Sequence, residues 1–139
     1  MSLDVYLRKL EQILELLGEL ERLLEKPYSE FASDKIVCRA AERNFQLLVN
    51  LAVDINLYLI AERTGKTPDS YRQSFVDLAR TGVLEHTLAE TLGRSAQLRN
   101  ILVHEYDFDI DVEMFHRSVR EFLGPYRQYA QAINHSLKR

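Results

Sequence analysis

The chain has one cysteine in 139 residues, Cys38, so it can form no internal disulfide and build no cysteine-rich metal site. A lone thiol packs as a small apolar side chain, and Cys38 is read as a core residue rather than a nucleophile. Clean apolar runs are missing too. The longest, "LLVNLAVDINLYLIA", is interrupted by Asn50, Asp54 and Asn56 and falls short of the roughly 20 residues of a membrane span. No basic segment followed by a short apolar stretch and a small-residue cleavage site opens the sequence, so no secretory signal is expected, and a cytoplasmic protein without membrane attachment is. Positive charge is not in excess either. A formal charge of -3 argues against an overall electrostatic grip on nucleic acid and leaves only local patches. Strand-like alternation is absent except in "EYDFDIDVE", read as an extended linker.

What is present is helical. With 46% hydrophobic and 28% charged residues, the composition is that of a globular protein, and the length suits a single domain over 1–139. Leu3, Tyr6, Leu10, Ile13, Leu17, Leu20 and Leu24 recur at intervals of three and four, one stripe of a long helix that Pro27 ends. A second helix is expected from about Asp34 to Arg63, free of glycine and proline, with Gly65 as its stop. Pro68, Asp69 and Ser70 form a turn and N-cap ahead of a short helix over Tyr71–Arg80, which Gly82 closes. A fourth should run from near Leu84 to Val103 or His104, with Leu92, Leu98, Ile101 and Leu102 inward. A fifth should begin near Asp111 and be broken or kinked at "LGPY". The expected fold is all-α: an antiparallel, up-and-down bundle of four to five helices, homodimeric.

Charge is uneven along the chain. From Arg117 to Arg139 there are five Lys or Arg against one acid, whereas His104 to His116 holds five acids and no Lys or Arg. "TGKT" invites comparison with a phosphate-binding loop, but that pattern needs a glycine where Ile60 stands, on a helix. His86, His104, His116 and His135 lack metal-ligand spacing, so no metal and no cofactor are expected. No glycine-flanked serine elbow appears.

The stretch "RNILVHEY" remains. At 100° per residue, Arg99 and His104 lie about 140° apart on a helix, while Asn100 and His104, four apart, share a shoulder where the amide could hold the ring. A guanidinium is a permanent planar donor for phosphate oxygens, and imidazole titrates nearest neutral pH. Together they suit RNA cleavage without metal. A histidine takes the 2′-hydroxyl proton as that oxygen attacks phosphorus, and an arginine stabilises the phosphorane. A two-fold dimer supplies two histidines, one as base and one as acid.

The run is R-N-x-x-x-H-x-Y, late in a chain of bundle length, and it resembles the HEPN superfamily of all-helical ribonucleases and, within it, the HepT-like toxins. "CRAAERNFQLLVNLAVDINLYLI" is similar to that family's second helix, "PDSYRQSFVDLARTGVL" to its third and "LAETLGRSAQLRNILVHEY" to its motif helix. The resemblance implies a homodimeric endoribonuclease toxin with Arg99 and His104 catalytic. It also implies a small nucleotidyltransferase antitoxin that transfers AMP to the motif tyrosine, Tyr106. An AMP group there would repel and block an RNA phosphate as phosphorylation does.

Asp54 is singled out because a carboxylate amid "LAVDINLYL" is costly to bury unpaired; Arg99 is the candidate partner, and the alternative is that Asp54 faces water or an arginine elsewhere. Arg39, Arg43 and Arg94 are candidate RNA phosphate contacts. Two other readings compete. In one the chain is a non-catalytic nucleotide-binding or docking subunit of a nucleotidyltransferase; in the other it is a helical dimer with a structural motif. A neighbouring reading frame encoding a nucleotidyltransferase would favour the toxin or the docking subunit over the structural dimer.

Overall fold

A computed structural model describes residues 1–104 and 111–138. Six helices follow one another: α1 (Leu3–Leu24), α2 (Tyr28–Ser33), α3 (Lys35–Thr64), α4 (Tyr71–Arg80), α5 (His86–His104) and α6 (Val112–Leu137), with no strand among the described residues. Caps set several boundaries. The Ser2 side chain accepts from the Val5 amide, Asp34 from Ile36 and Val37, Ser70 from Gln73, and Asp111 from Met114. Gly65 ends α3 at φ 71° and Gly82 turns the chain at φ 85°, a backbone region costly to any residue with a Cβ.

The long helices form an up-down-up-down bundle. Lys9 meets Asp54 and Glu19 meets Asn44, so α1 and α3 are antiparallel. Phe45 packs on Phe115 while Arg63 reaches Ser136, so α3 and α6 run parallel. Ser95 meets Tyr126 while Leu98 and Ile101 share a groove with Met114 and Ser118, which makes α5 antiparallel to α6 and therefore to α3. The core is apolar and continuous, and Cys38 packs at its edge, its thiol donating to the Phe31 carbonyl.

Three expectations are revised. The bundle has two short helices in its connections, and α2 was missed because six residues after Pro27 carry too little periodicity to register. At "LGPY" α6 is continuous: Pro125 removes one backbone hydrogen bond, but Phe122, Tyr126 and Tyr129 bury around it and hold the rod together. Ile101, expected inward, is 38% exposed on the open side of α5. The extended reading of "EYDFDIDVE" falls largely outside the described residues.

Among the described residues one helix, α3, is long and apolar enough to cross a membrane, with half of that stretch buried inside the bundle. Its three polar interruptions each have a partner. Asn50 meets Arg99, Asp54 meets Lys9, and Asn56 lies in a fully buried network with Tyr129 and Ser74.

Candidate active site

Arg99 projects from α5 between α3 and α4, half-buried. Its Nε donates to Asn50 Oδ1 at 3.0 Å and its Nη1 to Asn100 Oδ1 at 3.2 Å, while Cζ lies 4.8 Å from the centre of the Tyr71 ring. A hydrogen bond to a charged group contributes about 1.5–3 kcal/mol and a partly desolvated cation–π contact about 1 kcal/mol, enough to favour one rotamer of a long side chain. Of five guanidinium N–H groups two are engaged, leaving three on the Nη edge for an anionic ligand.

His104 is the last residue of α5 and is exposed. Five residues of helix separate it from Arg99 by about 7.5 Å along the axis. Asn100 does not serve as the holder of the imidazole envisaged from the four-residue spacing. Its Oδ1 accepts from Arg99 instead, which is nearer to it than a side chain one turn further on.

Asp54 is not the partner of Arg99. It sits on the α1 side of α3, its side chain 53% exposed, with Lys9 Nζ 3.5 Å from Oδ2. The physical reason is rotational: Asp54 is four residues, about 40°, past Asn50, enough to pass from the α5 side of α3 to the α1 side. Asn50 fills the role expected of Asp54, and Tyr71 was not anticipated at all. The signal for Asn50 was the same break in an apolar run that drew attention to Asp54; Tyr71 had none, because no local pattern reports a contact from another helix.

A family model described as Ribonuclease HepT-like matches residues 13–133. The chain belongs to this HepT-like ribonuclease family. It is similar to the tRNA nuclease HepT of Aphanizomenon flos-aquae, 35% identical over 94 residues that cover 67% of this chain and 63% of that protein, less than two thirds of its length. It is also similar to the mRNA nuclease HepT of Shewanella oneidensis, 26% identical over 76% of this chain and 78% of that one. Among solved structures, a tri-AMPylated Shewanella oneidensis HEPN toxin in complex with MNT antitoxin superposes with a TM-score of 0.86 at 23% identity, covering 97% of this chain and 99% of that one. At that identity the likeness is one of fold.

In this HepT-like chain the remaining candidates surround the motif. Arg39 and Arg43 each lie within about 20° of Asn50 around α3, one on either side of it, so the two arginines continue the stripe that meets Arg99. Because α3 and α5 are antiparallel, that stripe advances in the direction in which α5 runs from Arg99 to His104. Both arginines are exposed, Arg43 donating to Gln46 at 3.4 Å. Arg94 is exposed on the other side, bonded to Thr91 at 3.3 Å, and lines a groove of about 430 Å³ with Gln97, Ile101, Met114 and Ser118. Tyr106 lies outside the described residues.

Proposed function

We propose that the chain is the toxin of a toxin–antitoxin pair, an endoribonuclease acting without metal as a cytoplasmic homodimer. The observation that carries the reading is the pairing, at one helix end, of a guanidinium held from two other helices with an exposed imidazole. The imidazole of His104 takes the 2′-hydroxyl proton of RNA. The 2′-oxygen bonds to phosphorus, the P–O5′ bond breaks, and the partner protomer's copy of the same histidine protonates the leaving oxygen. The product is a 2′,3′-cyclic phosphate and a 5′-hydroxyl. The free N–H edge of Arg99 faces the charge that builds on the phosphorane.

The dimer is supported by the outer face of α5. Thr87, Glu90, Arg94, Gln97, Ile101 and His104 recur at intervals of three and four and are all exposed. Family membership supports the antitoxin, and so does a fold neighbour that is a tri-AMPylated toxin in complex with an MNT antitoxin. Transfer of AMP to Tyr106, two residues from His104, would place negative charge and bulk where the phosphate must enter. Arg39, Arg43 and Arg94 then serve as phosphate contacts along the strand, and residues 1–139 act as one domain.

The test is cleavage of RNA by purified protein in EDTA, with product ends identified. Cleavage that persists in EDTA, leaves cyclic phosphate ends and disappears in Arg99→Ala and His104→Ala is expected. Cleavage that requires added metal, or that survives His104→Ala, contradicts the mechanism.

A further inference from the structure

Besides its neighbour Asn100, the residues that hold Arg99 come from outside the motif helix. Asn50 belongs to α3 and Tyr71 to α4. Neither position is free to drift. Tyr71 opens α4, whose first turn is capped by Ser70, and its carbonyl accepts from Ser74 Oγ at 2.7 Å. Ser74 in turn accepts from the buried Asn56 amide at 3.0 Å, and Asn56 accepts from Tyr129 of α6 at 2.7 Å. The ring beneath the guanidinium is thereby tied through a chain of buried hydrogen bonds to the far side of the bundle.

The chemical character of the two holders also matters. An aspartate or glutamate at position 50 would fix Arg99 equally well but would neutralise it. Asn50 presents a neutral oxygen and Tyr71 a ring face, so the side chain is oriented while its whole unit charge stays available to a phosphate. The bonds engage Nε and one Nη1 proton, leaving an edge able to grip two phosphate oxygens at once.

We infer that Asn50 and Tyr71 are positioning residues for the cleavage reaction: they hold Arg99 in its transition-state orientation without reducing its charge. The inference rests on the catalytic assignment of Arg99 made above.

Steady-state cleavage of a defined RNA is compared for wild type, Asn50→Ala, Tyr71→Leu, Tyr71→Phe and Arg99→Ala, and for Asn50→Ala placed in an Arg99→Lys background. Asn50→Ala and Tyr71→Leu should lower kcat about tenfold or more, with KM changing little. Tyr71→Phe keeps the ring face and should stay within about twofold of wild type. Lysine has no Nε–H, so in the Arg99→Lys background Asn50→Ala should add almost nothing. Wild-type kcat in both Asn50→Ala and Tyr71→Leu, with Arg99→Ala inactive, overturns the inference and leaves the proposed function standing. If Arg99→Ala cleaves normally, the proposed function falls, and the positioning is judged from the Arg99 Nε–H signal in nitrogen-15 NMR, identified by its loss in Arg99→Lys. A held side chain exchanges that proton slowly in wild type and faster in Asn50→Ala. Exchange in the wild-type protein as fast as in a free arginine refutes the inference even if a variant fails to fold.

Discussion

The buried network behind α4 can be tested by replacing Tyr129 with phenylalanine and Asn56 with leucine, singly and together. Both residues are completely buried. The one hydroxyl proton of Tyr129 is shared between Asn56 Oδ1 at 2.7 Å and the Ala52 carbonyl at 2.9 Å. Tyr129→Phe removes that donor. The Ala52 carbonyl still accepts its helical hydrogen bond from residue 56, but Asn56 Oδ1 is left without a partner, which costs about 1–3 kcal/mol. Asn56→Leu deletes the orphan's side of the pair instead. Tyr129 retains Ala52 and the Ser74 hydroxyl retains Tyr71, so its cost is chiefly shape misfit, about 1 kcal/mol. In the double variant no polar group is stranded, and the two effects should fall short of additivity by about 1–2 kcal/mol. Urea unfolding at one fixed protein concentration measures this, with an unchanged m-value as the check on two-state behaviour. In thermal scans each kcal/mol corresponds to about 3–4 °C at this chain length. Additivity within about 0.5 kcal/mol would refute the network as a coupled unit.

Burial raises the phenols of Tyr126 and Tyr129 above the ordinary tyrosine value, and burial followed by the nearby Glu62 raises that of Tyr6. Below about pH 10 these groups are protonated in folded and unfolded chains alike; above it the unfolded chain releases protons that the folded one keeps, so stability falls as pH climbs. Phenolate absorbance from the buried tyrosines should therefore appear together with loss of helical circular dichroism, and full ionisation of every tyrosine at intact helicity would contradict the burial. Asp54→Asn removes only an exposed pair with Lys9 and should cost less than about 1 kcal/mol with cleavage undiminished; a large loss of cleavage would return Asp54 to the site. Arg39→Ala and Arg43→Ala should each flatten the salt dependence of RNA binding by about 0.7 in log–log slope, measured by titration of RNA into the inactive His104→Ala protein. Unaltered slopes would remove the α3 stripe from the RNA path.

Much of the fold was legible along the chain because helix boundaries are local chemistry. Asp34, Ser70 and Asp111 cap where a side-chain oxygen meets a free amide, and Gly65 and Gly82 stop where only a glycine is comfortable. The apolar stripe of α1 buried as its spacing required, Leu3 at the end excepted. Local signals failed where distant residues decide. Pro125 reads as a break, yet tertiary burial of Phe122, Tyr126 and Tyr129 carries α6 through it. Ile101 reads as core by its type beside Leu98 and Leu102, yet it shares the exposed side of α5 with Glu90, Arg94 and Gln97, and an apolar side chain on a polar side faces the core only if another element covers it.

The candidate site divides the same way. Arg99, His104 and Tyr106 stand close in one short run, and the chemistry of a permanent cation beside an imidazole follows from residue type and helical pitch alone. Which polar residue of α3 holds Arg99 depends on the rotation of one helix against another. A difference of about 40° between Asn50 and Asp54 gives the arginine to an amide and the carboxylate to Lys9. The place of Tyr71 depends on a short helix folding back to lay its first residue under α5, a contact between positions 28 apart in the chain. Side-chain identity and spacing settle which groups are offered; the packing angles of whole helices settle which of them meet, because those angles minimise the energy of the entire core and no short segment carries that information.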